Sequence, residues 1–262
     1  MESQANFSSF SLSNTFNQPI KFLGSVEKNK AERLPFSIRF AKNEEDILKA
    51  VSVRYSAYAR HVPDLAERLM EPESSDFEDG VLVLLAESKL DGRPLGTMRL
   101  QTNQMRSLQL ESSVELPSRF KGCVLAEASR LGVTQERVGR VVKTLLFKAF
   151  YMHCLNVGID WMVITARSPL DRHYESLLFE DIYPDRGYIP MSHVGDIPHR
   201  VFAHEIATAG QRWAEVAHPL YDLYFHTHHP DINIGQKTKL PAFLQDLENM
   251  RKVNREPVAL YS

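Results

Sequence analysis

From Phe36 to Ala41 apolar and polar residues alternate, the period of a strand with one buried face. Asn43 and the acidic run Glu44, Glu45 and Asp46 follow, a side-chain cap with negative charge at the positive end of a helix dipole. The spacing predicts a helix from there to about His61, and Pro63 opens a second short helix ending near Met70. Glu71 to Gly80 is an acidic loop with Pro, Ser and Gly. Val81 to Glu87 has the composition of a strand covered on both faces, and Asp91-Gly92-Arg93-Pro94 turns it back into a hairpin partner at Leu95 to Gln101.

Cys123 to Val133 mixes signals, because Leu-Ala-Glu-Ala-Ser-Arg-Leu contains good helix formers. It is assigned as a strand because a helix start follows it. Between Gln135 and Val157 the residues Val138, Val141, Val142, Leu145, Leu146, Ala149, Met152 and His153 hold one helical stripe, with Gly158 as the C-terminal cap. Asp160 to Ala166 is expected as a buried strand, Leu170 to Leu178 as a helix and Phe179 to Tyr183 as a short strand. The order is mixed α/β without a long repeat. Beyond Gln211, a helix from Trp213 to Phe225, a loop with Pro230 and Gly235, and a charged helix at about Pro241 to Val253 form a C-terminal helical extension. The chain thus divides into a flexible polar leader (1–34), a main domain (35–210) and the extension (211–262).

With 262 residues and 43% hydrophobic content a sizeable core is affordable, and a net charge of −2 asks for neither nucleic acid nor an acidic membrane surface. Two cysteines, Cys123 and Cys154, give no disulfide framework and point to a reducing compartment. The first 24 residues are rich in Ser, Asn and Gln and lack the features of a signal peptide. The apolar run Val81 to Ala86 is too short to span a bilayer, so a soluble, cytoplasmic protein is expected.

Charges inside apolar segments carry the candidate chemistry. Ile47, Val51, Arg54 and Tyr58 recur at helical spacing, which puts Arg54 on the core-facing stripe. A buried unpaired guanidinium costs roughly 3–5 kcal/mol, so a carboxylate should meet it, and Asp76 and Asp79 are the candidates. The other arrangement lets Arg54 snorkel to the helix edge. Thr97 and Arg99 share one strand face, turned to a cleft or to solvent. Glu127 and Arg130 lie in the apolar segment Val124 to Val133, where a regular strand sends them to opposite faces and a bulge brings them together. A bulge also exposes amides able to hold a thioester carbonyl. A carboxylate with its pKa raised by burial is a general base for an amine, and a structural ion pair is the alternative use. Gln135 to Arg140 opens the long helix, so free amides and the helix dipole favour a phosphate such as that of a phosphopantetheine arm. Arg137, Arg140, Lys143 and Lys148 add positive charge there or form a solvated basic face. His218, His226, His228 and His229 lack metal-ligand spacing, and neither Ser168-Pro169 nor the cysteines carry a nucleophile signature.

Together these residues resemble the acyl-homoserine lactone synthases and the long-chain N-acyl amino acid synthases, both built on the GNAT fold. The shared elements are Arg54-x-x-x-Tyr58, Asp76-x-x-Asp79, Gly96-Thr97-Met98-Arg99-Leu100 and Glu127-Ala128-Ser129-Arg130, spread over Arg54 to Ala166. The resemblance implies an α/β GNAT-like acyltransferase fold for residues 35–210, with a mixed, mostly antiparallel central sheet flanked by helices. It implies Glu127 as general base. Arg54, Tyr58, Asp76, Asp79, Arg99, Ser129 and Arg130 would shape the amine site, and Arg137, Gly139, Arg140 and Lys143 would hold the donor phosphate. The implied reaction moves a long acyl chain from acyl carrier protein or acyl-coenzyme A to a small amine such as an amino acid, with no permanently bound cofactor. Arg140 stands where the family's phosphate loop has a small residue, which favours carrier protein over coenzyme A as donor. Ala126 replaces one family tryptophan and His61 to Pro72 lacks another, which turns the reading from lactone synthase toward N-acyl amino acid synthase. Homoserine-lactone synthesis from S-adenosylmethionine and a non-catalytic acyl- or partner-binding module are the two other readings.

Overall fold

The computed structural model describes residues 30–235; the expected leader up to residue 29 and the expected helix at Pro241 to Val253 lie outside the described residues. In chain order the elements are β1 (Lys30–Ala31), β2 (Phe36–Phe40), α1 (Glu44–Ala59), α2 (Pro63–Arg68), β3 (Val81–Ser88), β4 (Pro94–Thr102), β5 (Leu125–Val133) and α3 (Arg137–Val157). They continue with β6 (Trp161–Ala166), α4 (Asp171–Ser176), β7 (Glu180–Asp181), β8 (Ile189–Met191), β9 (Ile197–Glu205), α5 (Ala209–Glu215), β10 (Thr227–His228) and β11 (Ile232–Asn233). The Asn43 side chain accepts from the Asp46 amide, so the expected cap on α1 is real. The main sheet runs β11-β2-β3-β4-β5-β6-β9-β7, with β8 alongside β9. Within this sheet only β11/β2 and β5/β6 pair in parallel, and β1 pairs in parallel with β10 in a separate two-stranded sheet.

Alternation along the strands decides which helix covers which face. Leu84, Ala86, Met98, Ala126 and Ala128 pack with Val142, Leu146 and Phe150 of α3. Val83 and Leu85 meet Ile47, Ala50 and Val51 of α1 on the opposite side. Leu125, Val163 and Val201 pack with Leu65, Leu69, Leu110 and Phe120, a second core on that face. Gly132 lets α1 lie close to β5, since a Cβ there would stand 3.1 Å from the Arg54 Cα.

Two local features shape the centre of the sheet. The β4/β5 register jumps from Thr97↔Gly132 to Arg99↔Ser129, so two residues of β5 oppose one of β4. Arg130 sits in that bulge with φ +54°, a conformation that costs a non-glycine residue about 1–3 kcal/mol. Beyond it, β5 and β6 part: their pairing ends at Ala128↔Ile164 although both strands continue.

Three expectations need correction. The strand β9, central to its half of the sheet, was not expected, because Pro198, His199, Arg200 and His204 hide the apolar run Val201-Phe202-Ala203. The helix expected over Trp213 to Phe225 is broken: α5 ends at Glu215, and Pro219, which has no N–H to donate, precedes a single π-turn at Asp222–His226. Val141 of the expected stripe is exposed, whereas Trp213, Tyr224, Ile232 and Ile234 from the chain beyond residue 211 join the α3 core.

Candidate functional site

The acidic loop folds into a 3₁₀ turn, Ser74–Phe77, capped by the preceding Glu73, whose amide donates to Asp76 Oδ2 at 3.0 Å. That turn presents two carboxylates to three arginines. Arg54, fully buried on α1, grips Asp76 with both terminal nitrogens, at 2.8 and 3.0 Å. Arg99 on β4 donates through Nη1 to Glu73 at 2.9 Å and to Ser75 Oγ at 2.6 Å, through Nη2 to Gln109 Oε1 at 3.0 Å, and through Nε to Ser129 Oγ at 3.3 Å. Arg130 reaches Glu73 with Nε and Nη2, both at 2.7 Å, and its Nη2 also donates to the His193 carbonyl at 3.0 Å. Those bonds hold the strained backbone at the bulge. Burial opposes charge on Glu73, yet the hydrogen bonds and charges of Arg130, Arg99 and Arg54 hold its carboxyl at about 2. With both carboxylates ionised, three guanidinium groups leave one positive charge in excess.

Glu127 lies one step away on the same face of β5, between Gln101 of β4 and Val163 of β6. Its side chain is buried beneath the 3₁₀ turn Gln109–Ser112, where Oε2 accepts from the Leu110 amide at 3.3 Å and Oε1 has no partner among the described residues. Burial pushes its pKa up to about 7, against the pull of the Leu110 and Gln109 amides and the charges of Arg99 and Arg130. A carboxyl poised near neutrality is able to take a proton at working pH and give it back.

The parting of β5 and β6 opens a cavity of about 210 Å³ lined by Tyr58, Leu65, Ser129, Lys143, Thr165 and Tyr174 among others. Its lining is mixed, with apolar Leu65, Val194 and Ile197 beside Arg60, Arg130, Lys143 and Arg167, which gives room for an acyl chain with cations about its thioester. A second, wider recess of about 650 Å³ lies over Leu108, Gln109, Glu111, Ser112 and Glu115, above the turn that covers Glu127. At the start of α3, Gly139 packs so tightly on the preceding loop that a Cβ would meet the Thr134 carbonyl oxygen at 2.0 Å. Arg137 and Arg140 are exposed there, and Lys143, its pKa lowered by burial, points along the helix to the cavity between β5 and β6.

Of the residues singled out in the sequence, the structure brings together Arg54, Asp76, Arg99, Glu127, Ser129 and Arg130, with Tyr58 on the adjoining cavity wall. Asp79 does not join them; it is exposed, and Glu73, three residues upstream of Asp76 rather than downstream, holds the second carboxylate position. Lys148 is not part of the basic face: it is buried against the Leu223 and Thr227 carbonyls and His229 Nδ1. His218 and His226 hydrogen-bond to the Ser176 carbonyl and to Asp222. No sequence pattern marks Gln109, Leu110 or His193, the first two because the long segment between β4 and β5 has no periodicity. The only hint of Glu73 was the same three-residue carboxylate spacing in an acidic loop.

The family model of the N-acyl amino acid synthase FeeM matches residues 49–194. Among solved structures, FeeM, described as an N-acyl amino acid synthase from uncultured soil microbes, superposes with a TM-score of 0.55 at 14% identity, over 69% of this chain and 96% of that one. BjaI, described as a coenzyme A-dependent acyl-homoserine lactone synthase, gives 0.47 at 16% identity, over 74% and 93%. The aminoglycoside 6'-acetyltransferase type Ii gives 0.44 at 14%, over 64% and 96%. A comparison of the sequence with curated proteins finds no match. The expected GNAT-like fold is therefore the observed one, with the mostly antiparallel sheet and flanking helices in place.

Proposed function

The chain belongs to the family of the N-acyl amino acid synthase FeeM, which makes it an acyltransferase, and we propose that it moves a long-chain acyl group from a phosphopantetheine thioester to the α-amino group of an amino acid. The observation that carries this reading is a carboxyl with a pKa near 7, Glu127, buried beside a three-arginine network and one residue before β5 and β6 part. Glu127 is the general base. It takes the proton released as the amine nitrogen bonds to the thioester carbon, and the departing thiolate is protonated in turn. The excess positive charge of Arg54, Arg99 and Arg130 over Glu73 and Asp76 favours the oxyanion of the tetrahedral intermediate. A backbone amide left out of the ladder by the bulge at Arg130 is a further donor to it.

The acyl chain lies in the cavity between β5 and β6 with Tyr58 at its side, and the donor phosphate sits at the start of α3 near Arg137, Gly139, Arg140 and Lys143. Two exposed arginines there suit an acidic acyl carrier protein as the donor, with acyl-coenzyme A as the alternative. Among the described residues no helix is long and apolar enough to cross a membrane. The two unpaired cysteines fit a reducing cytoplasm. Incubating the protein with lauroyl acyl carrier protein or lauroyl-coenzyme A and each standard amino acid, then weighing the products by mass spectrometry, tests the reading. An N-lauroyl amino acid is the expected product, and a homoserine lactone formed only with S-adenosylmethionine would replace this assignment.

A further inference from the structure

Two substrates that react with each other must meet with the reacting atoms about 3–3.5 Å apart. The two cavities described above share one lining residue, His193. It stands in the 3₁₀ turn Ser192–Val194, pinned from both sides: its carbonyl accepts from Arg130 Nη2 at 3.0 Å, and the preceding Ser192 amide donates to Ser113 Oγ at 2.9 Å. The Ser192 hydroxyl also contacts Ser112 Oγ at 2.7 Å, which ties the turn to the wall of the wider recess. Neither ring nitrogen of His193 bonds to a described residue, and Nδ1 is buried. Burial and the charges of Arg130, His199 and Arg99 hold the imidazole near 4, so it is neutral at pH 7 and offers one donor and one acceptor. The other titratable side chains lining the recess are Glu111 and Glu115, which attract a cationic ammonium group on its way in.

We propose that the recess over residues 107–116 is the entry site of the amine, and that His193, at its junction with the β5–β6 cavity, accepts a hydrogen bond from the nucleophilic nitrogen and turns its lone pair toward the thioester carbon. This inference rests on acyl transfer at the β5–β6 gap. The ammonium group first gives one proton to solvent; in the step itself the neutral nitrogen bonds to the thioester carbon, the carbon–sulfur bond breaks with its electron pair on sulfur, and the nitrogen's second proton passes to Glu127 and then to the thiolate. His193 touches the substrate but keeps no proton.

The experiment compares the full chain with His193→Ala and His193→Asn, using lauroyl-coenzyme A, lauroyl acyl carrier protein and the standard amino acids. His193→Ala is expected to lower kcat/KM for the amine about 100-fold, while KM for the acyl donor changes by less than about threefold. His193→Asn, which keeps an acceptor, and added imidazole with the alanine variant should each restore part of the loss. Full retention of kcat/KM in His193→Ala, or a parallel rise in the donor's KM, overturns the role of His193 and leaves acyl transfer standing. Should the alanine variant fail to fold, the imidazole ¹⁵N resonances of His193 in the native protein decide: they must move when the amine is added and stay when the donor is added alone. Absence of any N-acyl product from the native protein removes the acyl-transfer reading, and this inference with it.

Discussion

The two acidic residues of the site work under opposite electrostatics, and each has its own pH signature. Glu127 is raised to about 7 from an ordinary 4.5, so it is neutral and harmless to folding at low pH, and its ionisation opposes folding as pH climbs from about 4.5 through 7. Glu127→Gln should therefore raise the thermal midpoint at pH 8 relative to the native protein and leave it little changed at pH 5. The same variant should lose about 10²–10⁴-fold in turnover, and the rising limb of the native pH–rate profile near 7 should vanish. Full turnover in a folded Glu127→Gln protein would remove the base from this position. Glu73 behaves the other way. Its carboxyl is lowered to about 2, so its contribution is complete above 4.5 and is lost as pH falls from there toward 2. Glu73→Gln strands Arg130 and should cost about 3–5 kcal/mol in urea unfolding at pH 7, whereas Asp79→Asn, at an exposed position, should stay within about 0.5 kcal/mol. Equal effects of the two would put the carboxylate partner back at Asp79. The sequence made Arg54, Arg99 and Arg130 conspicuous because each interrupts an apolar pattern. It could not choose between carboxylates in a loop, where no period marks which side chain turns inward.

At the scale of elements, the start of α3 is where the proposed donor site can be tested apart from the chemistry. Gly139 has no room for a side chain against Thr134, so Gly139→Ala must lift the loop from the helix. We expect a rise in KM for the acyl donor with little change in kcat at saturation. Steady-state kinetics with varied donor checks this, and a fall in kcat alone would count against a phosphate site there. Arg137→Ala and Arg140→Ala, at exposed positions, should weaken donor use severalfold at low salt and hardly at all at about 1 M, where the screening length is about 3 Å. The helix itself was legible because α3 combines a continuous stripe with a glycine at its end. The β3–β4 hairpin was legible from one apolar run and one turn. The strand β5 was harder, since alanine, glutamate and leucine favour helix, and only its place before α3 argued for a strand. The bulge within it was one of two arrangements that the spacing of Glu127 and Arg130 left open, and no period along the strand chooses between them. The strand β9 is hidden because Pro198, His199, Arg200 and His204 interrupt its apolar run; of these, His199 lines the β5–β6 cavity, while Arg200 pairs with Asp181 and His204 bonds to the Leu178 carbonyl.

The molecule as a whole is closed by the segment after α5, which returns to the strand at the other edge of the sheet. The strand β11 lies parallel to β2, and the Asp231 carboxylate accepts from the Leu34 amide at 2.8 Å while pairing with Arg33 and Lys89. Lys148 of α3, buried and lowered to about 8 chiefly by desolvation, depends on carbonyls of this segment for its hydrogen bonds. We therefore propose that the folding unit runs at least from residue 30 to residue 235. Sequence patterns could not reveal this, because two-residue strands carry no period and the partners lie some 200 positions apart. Cutting the chain after residue 210 removes Trp213, Tyr224, Ile232 and Ile234 from the core, at about 1.5–3 kcal/mol for each large apolar side chain. It also leaves Lys148 without partners and bares the edge of β2. Since domains hold only about 5–15 kcal/mol in reserve, the shortened chain should lose cooperative thermal unfolding by circular dichroism and self-associate through the open edge on size-exclusion chromatography. A monomer melting at the native midpoint would instead make residues 211–235 a dispensable attachment, and the face proposed for catalysis would then owe nothing to the far edge of the sheet.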